Sequence, residues 1–189
     1  MVIKVFRTPI AVTRKGWISN LLHKPKKRKV TMVIVHHTYK PDLAMWKANP
    51  KTDLEKGAYF WKVIDRFHRS KGWNGIGYHG LITPDGLIWL GRDINEVGAH
   101  TQGKNGTSIG LCLLGNFDIE YPTSEQWATL KWALAATIYA YKLTVNDIHF
   151  HREFANKSCP GFHIQLTTLR EAVERTLKDA IPIFRQLGG

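Results

Sequence analysis

An α/β domain, with a central mixed β-sheet flanked by helices, is the fold class this 189-residue chain predicts. Three observations carry it. The β-branched runs at 31–37 and 108–115 are apolar at successive positions, as strands buried on both faces are. Longer segments repeat their apolar residues at three- and four-residue steps, the period of helices. Turn residues such as Pro84, Asp85 and Gly86 separate the pieces, and no internal repeat is visible.

Taken in order, Trp17, Ile18, Leu21 and Leu22 can form one face of a short helix that docks on the domain. Residues 31–37 form a strand. Thr52 and Asp53 can cap a helix running to about Lys71, with Leu54, Ala58, Trp61, Ile64 and Phe67 as its apolar stripe. Residues 76–83 and 87–91 flank the Pro-Asp-Gly turn and read as a hairpin. Residues 108–115 form a second buried strand. Thr123 to Gln126 fits a capping box that opens a helix to about Tyr141. Residues 148–151 form a short strand, and 166–178 a closing helix.

The charge is uneven. Residues 1–30 hold nine Lys and Arg and no acid, supplying +9 of the formal +12. The chain therefore divides into a basic N-terminal extension, 1–30, and a domain over 31–189. Such a block favours a polyanion, here an anionic cell-envelope surface. The run 24–30 also reads like a nuclear-localisation peptide, but no nucleic-acid-binding fold accompanies it, so no obligate nucleic-acid partner is expected, and the chain should be a monomer. No run approaches the roughly 18 apolar residues of a membrane span. Lys4, Arg7, Pro9, Arg14 and Lys15 break up the start, so the expectation is synthesis in the cytoplasm without a signal peptide. Cys112 and Cys159 make no disulfide framework, and Cys112, inside an apolar run, reads as a buried thiol.

The chemistry concentrates in two segments. One is His36-His37 at the end of a strand; the other holds His149, His151 and, eight positions after His151, Cys159 followed by Pro-Gly. Two imidazoles and one thiolate make a three-ligand zinc site whose fourth position is left for water, the pattern of a catalytic zinc. Adjacent residues in a strand point to opposite faces, so only one of His36 and His37 can serve. His149 and His151 share a face, and alternation alone does not choose between them.

Four stretches, VIVHHT, GIGYHGLITPDGLIWLGRD, VGAHTQGKNGTSIGLCLLGNF and HREFANKSCPGF, resemble in order and spacing the type 2 N-acetylmuramoyl-L-alanine amidases, whose fold is shared by the peptidoglycan recognition proteins. The resemblance covers roughly residues 31–178. It implies one zinc ion held by His36, His151 and Cys159, with catalytic roles for Tyr78 and Lys157. It also places His100 along the substrate groove, with Asn105 and His79 as further contacts. The reaction it implies is hydrolysis of the amide joining the lactyl group of N-acetylmuramic acid to L-alanine in peptidoglycan. The expected setting is a phage or prophage endolysin that reaches the wall after the membrane is permeabilised. Two alternatives belong to the same fold. A cytosolic muropeptide-recycling amidase typically has Asp where Cys159 stands. Non-catalytic recognition modules commonly lose a zinc ligand, and this chain keeps all three.

Overall fold

The computed structural model describes residues 7–188. In chain order its elements are β1 (Ile10–Val12), α1 (Arg14–Leu22), β2 (Met32–His37), α2 (Leu43–Ala48), α3 (Asp53–Ser70), β3 (Gly80–Ile82), β4 (Ile88–Leu90), β5 (Ser108–Leu113), α4 (Ser124–Tyr141), β6 (Ile148–Phe150) and α5 (Leu166–Gly188). The two β-branched runs pair with each other: β2 and β5 are parallel, with Met32 opposite Ser108 and His36 opposite Cys112. β6 joins β2 on its other side, also parallel. The β3–β4 hairpin is antiparallel, and β3 runs parallel to β5. The strand order is β1-β4-β3-β5-β2-β6, a mixed sheet as expected.

Alternation along β2 and β5 divides the core. Val33, Val35, Ile109, Leu111 and Leu113 face α1, α4 and α5, together with Leu130, Leu134 and Leu169. Cys112 and Leu114 face the opposite side, with Trp61, Ile64 and Trp89 beneath α3. Helices α3 and α4 open on complete capping boxes, Thr52 with Glu55 and Thr123 with Gln126, which satisfy backbone N–H groups that the helix itself leaves unpaired.

Of the stretch expected to flank the domain, residues 10–22 are built into it. β1 pairs with β4 at the sheet edge, and Trp17, Ile18 and Leu21 of α1 are fully buried in the main core. Charge conceals that role, because Arg14, Lys15, Lys26, Lys27 and Lys29 occupy exposed positions while Trp17, Ile18 and Leu21 pack inward.

Three further boundaries differ from the sequence expectation. On α3 the buried stripe is Phe60, Trp61, Ile64 and His68, while Leu54 and Phe67 are exposed. The hairpin strands are shorter than expected, so residues 76–79 form a loop and not part of β3. α5 continues past Lys178 and through Pro182, which removes one helical hydrogen bond. Beyond it Phe184 is fully buried, its ring edge-on to Trp132 at 5.1 Å, and that packing carries the helix onward. Among the described residues no helix is long and apolar enough to cross a membrane.

Candidate metal centre and groove

β2 delivers His36 to the α3 side of the sheet and His37 to the other. The His37 ring lies against Phe117, whose backbone N–H donates to His37 Nδ1 at 3.2 Å. His149 and His151, expected to share a face, diverge because β6 ends at Phe150 and the chain enters a 3-10 turn at His151. His149 turns to Glu153, Nδ1 to Oε2 2.9 Å, while the His151 ring approaches His36 with centroids 4.6 Å apart. The loop after β6 then returns Cys159, whose Sγ accepts the backbone N–H of His37 at 3.4 Å and lies 3.7 Å from His36 Nδ1.

One donor atom each from His36, His151 and Cys159 thus falls within 4.8 Å of the others. Tetrahedral zinc with ordinary Zn–N and Zn–S bonds sets its ligands roughly 3.3–3.6 Å apart. The His36–Cys159 separation is close to that edge length, and the donor set of two imidazoles and a thiol suits the ion. Burial, with His100 and His151 nearby, holds His36 well below the usual imidazole range, and burial with Lys157 brings His151 down to about 4. Both rings are therefore neutral at pH 7 and available as ligands. Burial pushes the Cys159 thiol up to about 12, against the pull of the His37 N–H; a bound cation would reverse that balance and favour the thiolate.

Behind the donors, three residues expected as groove contacts also make buried hydrogen bonds. His36 Nδ1 turns to Cys159, while Nε2 lies 3.0 Å from His100 Nδ1 and 3.4 Å from Thr101 Oγ1; with Nδ1 given to a metal, Nε2 would carry the proton and donate. His100, expected along the groove, lines it with Asn105 and, largely buried, also buttresses His36. Its ring occupies a slot between Gly98 and Gly110, where a Cβ at either position would come within 2.6 Å of it. Asn105 Oδ1 accepts the backbone N–H groups of both His100 and Thr101 at 2.8 Å, so its oxygen shapes the loop. His79, expected as a substrate contact, is 1% exposed. Its Nδ1 accepts from Gly110 N–H at 3.0 Å and its Nε2 lies 3.1 Å from Glu96 O, so both nitrogens are occupied.

In front of the donors runs a groove of about 640 Å³, walled by Trp73, Tyr78, Phe154 and Lys157 with His151 in its floor. Tyr78 lies 5.2 Å from the His36 ring, centroid to centroid. Its loop is tied to α3: Asp65 Oδ1 accepts Ile76 N–H at 2.8 Å and His68 Nδ1 accepts Gly77 N–H at 3.0 Å. Burial and the neighbouring thiols hold the phenol well above its ordinary range, so it stays protonated. His68, missed by the sequence reading, packs its ring 5.3 Å from Tyr78 and lines both this groove and an adjoining apolar pocket of about 380 Å³ with Met45 and Phe67. Its signal was the i, i+4 step from Ile64.

Residues 26–162 match the sequence profile of the N-acetylmuramoyl-L-alanine amidase family. The chain belongs to that family. The endolysin of Enterobacteria phage K11 is 36% identical over 120 residues, covering 61% of this chain and 76% of that protein. The human N-acetylmuramoyl-L-alanine amidase is 33% identical over 130 residues, 67% of this chain but only 22% of that longer protein. Among solved structures, the endolysin amidase LysCS from Clostridium intestinale URNW matches with a TM-score of 0.65 and 29% identity, covering 80% of this chain and 89% of that one. Drosophila PGRP-LB matches with a TM-score of 0.61 and 26% identity, covering 82% of each. The family's reaction class therefore frames what the groove does.

Proposed function

We propose that this chain is a zinc-dependent peptidoglycan hydrolase that cleaves the amide between the lactyl group of N-acetylmuramic acid and L-alanine of the stem peptide. The observation that carries the reading is the meeting of His36, His151 and Cys159, of which His151 lines a groove rimmed by Tyr78 and Lys157 and Cys159 lines the cleft beside it. When bound, zinc lowers the pKa of a coordinated water toward about 7 and polarises an amide carbonyl. The residues of the chain supply the rest. Tyr78, a protonated phenol beside the donors, offers a hydrogen bond to the carbonyl oxygen as negative charge grows there. Lys157 is exposed at the groove edge, where its ammonium stabilises that charge or delivers a proton to the departing nitrogen. Trp73 and Phe154 give the groove apolar walls against which sugar and peptide can lie.

The biological role we infer is that of a phage or prophage endolysin acting on the wall once the inner membrane has been opened. Exposed Arg14, Lys15, Lys26, Lys27 and Lys29 are the charges we assign to contact with an anionic envelope; Lys24 is paired with Asp93, and Arg7 with Glu96 at 2.6 Å. The test is mass spectrometry of muropeptides released from purified sacculi with and without a chelator. New L-alanine amino termini on intact glycan strands, lost on chelation, are the expected result. New reducing ends would instead mark a glycosidase and reject the proposal.

A further inference from the structure

Within the basic stretch Arg28 points inward. Arg28 is half-buried and, among the described residues, forms no ion pair. Its guanidinium is directed at backbone carbonyls: Nε donates to Ile94 O at 2.8 Å, Nη1 to Gly106 O at 3.2 Å and Nη2 to Ser108 O at 2.9 Å, with His79 Nε2 3.0 Å from Nη2. Those carbonyls sit at the two ends of the loop 94–108, whose only regular structure is one 3-10 turn at Asn105–Thr107. His100 lies in the middle of that loop.

We infer that Arg28 is a positioning residue: by clamping both ends of the loop 94–108 it holds His100 against Nε2 of His36, and so fixes the ring that presents Nδ1 to the metal. The chain of contacts is continuous. Arg28 fixes Ile94, Gly106 and Ser108; Asn105 binds the His100 and Thr101 amides; the glycine slot locates the His100 ring; and that ring bonds His36 at 3.0 Å. Partners one shell out from a metal orient its ligands, and losing one typically weakens metal binding about 10–100-fold. The chemistry selects arginine, because a planar fork reaches several carbonyls at once whereas a lysine ammonium is a single point charge. The inference deepens the zinc reading above and rests on it. It also removes Arg28 from the charges available to an anionic partner.

A double-mutant cycle on zinc affinity tests it, measured on the full chain by competition with a chromophoric chelator. Arg28→Gln and His100→Ala should each weaken zinc binding, by roughly tenfold or more. The double variant should be no weaker than His100→Ala alone, because Arg28 acts through His100. Arg28→Lys, which keeps the charge and most of the stem, should resemble Arg28→Gln, and it carries the test if Arg28→Gln does not fold. Cobalt substitution gives a second readout: the visible absorption bands should shift in both single variants. Unchanged zinc affinity in both Arg28 variants, or effects that simply add in the double variant, would overturn the positioning role. A wild-type protein that takes up no zinc at all would overturn the metal reading, and the inference with it.

Discussion

The indole N–H of Trp17 donates to Thr137 Oγ1 at 3.3 Å, across 120 positions of sequence. Thr137 in turn donates to Ala133 O at 2.7 Å, so the bond joins α1 to the backbone of α4 in the middle of the core. A chain shortened to begin at Thr31 would expose this surface and lose the edge strand β1. It should be insoluble or melt far below the full-length protein. Trp17→Ala alone should cost about 3–5 kcal/mol, read as a shift of the urea midpoint. A shortened chain that melts like the parent would restore the view of an accessory extension.

The metal donors can be separated from their neighbours by analysis of bound zinc. His151→Ala and Cys159→Ser each remove one of three protein ligands, so zinc content and hydrolysis should both disappear. His37→Ala should retain zinc, since its ring faces Phe117 and only its backbone touches Cys159. Zinc lost with His37→Ala and kept with His36→Ala would exchange their roles.

Chemistry and metal binding should also part. Tyr78→Phe and Lys157→Ala are expected to keep one zinc per chain while turnover of purified peptidoglycan falls roughly tenfold to a thousandfold. Normal turnover in Lys157→Ala would leave that residue as a surface charge.

Acid should unfold the protein through its buried histidines. Burial lowers His79 to about 3, with Arg28 adding to the effect, and burial lowers His68 to about 4. An unfolded imidazole titrates near 6.5, so these groups bind protons mainly in the unfolded state as pH falls. Their contribution is complete above about pH 6.5 and is lost on the way down to pH 3–4, on the order of 3 kcal/mol each by pH 4. Denaturant midpoints measured between pH 7 and 4.5 should show this slope, and His68→Gln should make it shallower. Equal slopes in wild type and variant would contradict the assignment.

The sequence made legible whatever depends on local pattern. β2, β5 and the capping boxes at Thr52 and Thr123 followed from residue type and spacing, and the order of the four motifs pointed to His36, His151 and Cys159. Less legible was anything decided by partners distant in the chain. The α3 stripe was misplaced because Leu54 and Phe67 fit the helical period as well as Phe60 and His68 do; only the sheet beneath distinguishes them. His100 and His79 looked alike as polar residues near the site, yet their roles depend on Gly98, Gly110 and the carbonyl of Glu96. The docking of Trp17, Ile18 and Leu21 followed from their helical spacing, but that they would enter the main core beside α4, with β1 at the sheet edge, did not.

The three residues proposed as metal donors hang from the ends of two adjacent parallel strands, β2 and β6, and from a loop closed by the Arg152 N–H to Cys159 O bond at 2.9 Å. Sheet pairing and core burial hold this cradle, so its shape does not depend on an ion to draw it together. Stripping the metal should therefore leave a folded protein that reloads within the time of a simple encounter, with no refolding delay. Cobalt or another tetrahedral ion should enter the same three donors without rearrangement, so the emptied protein would be a complete receptacle that lacks only the ion.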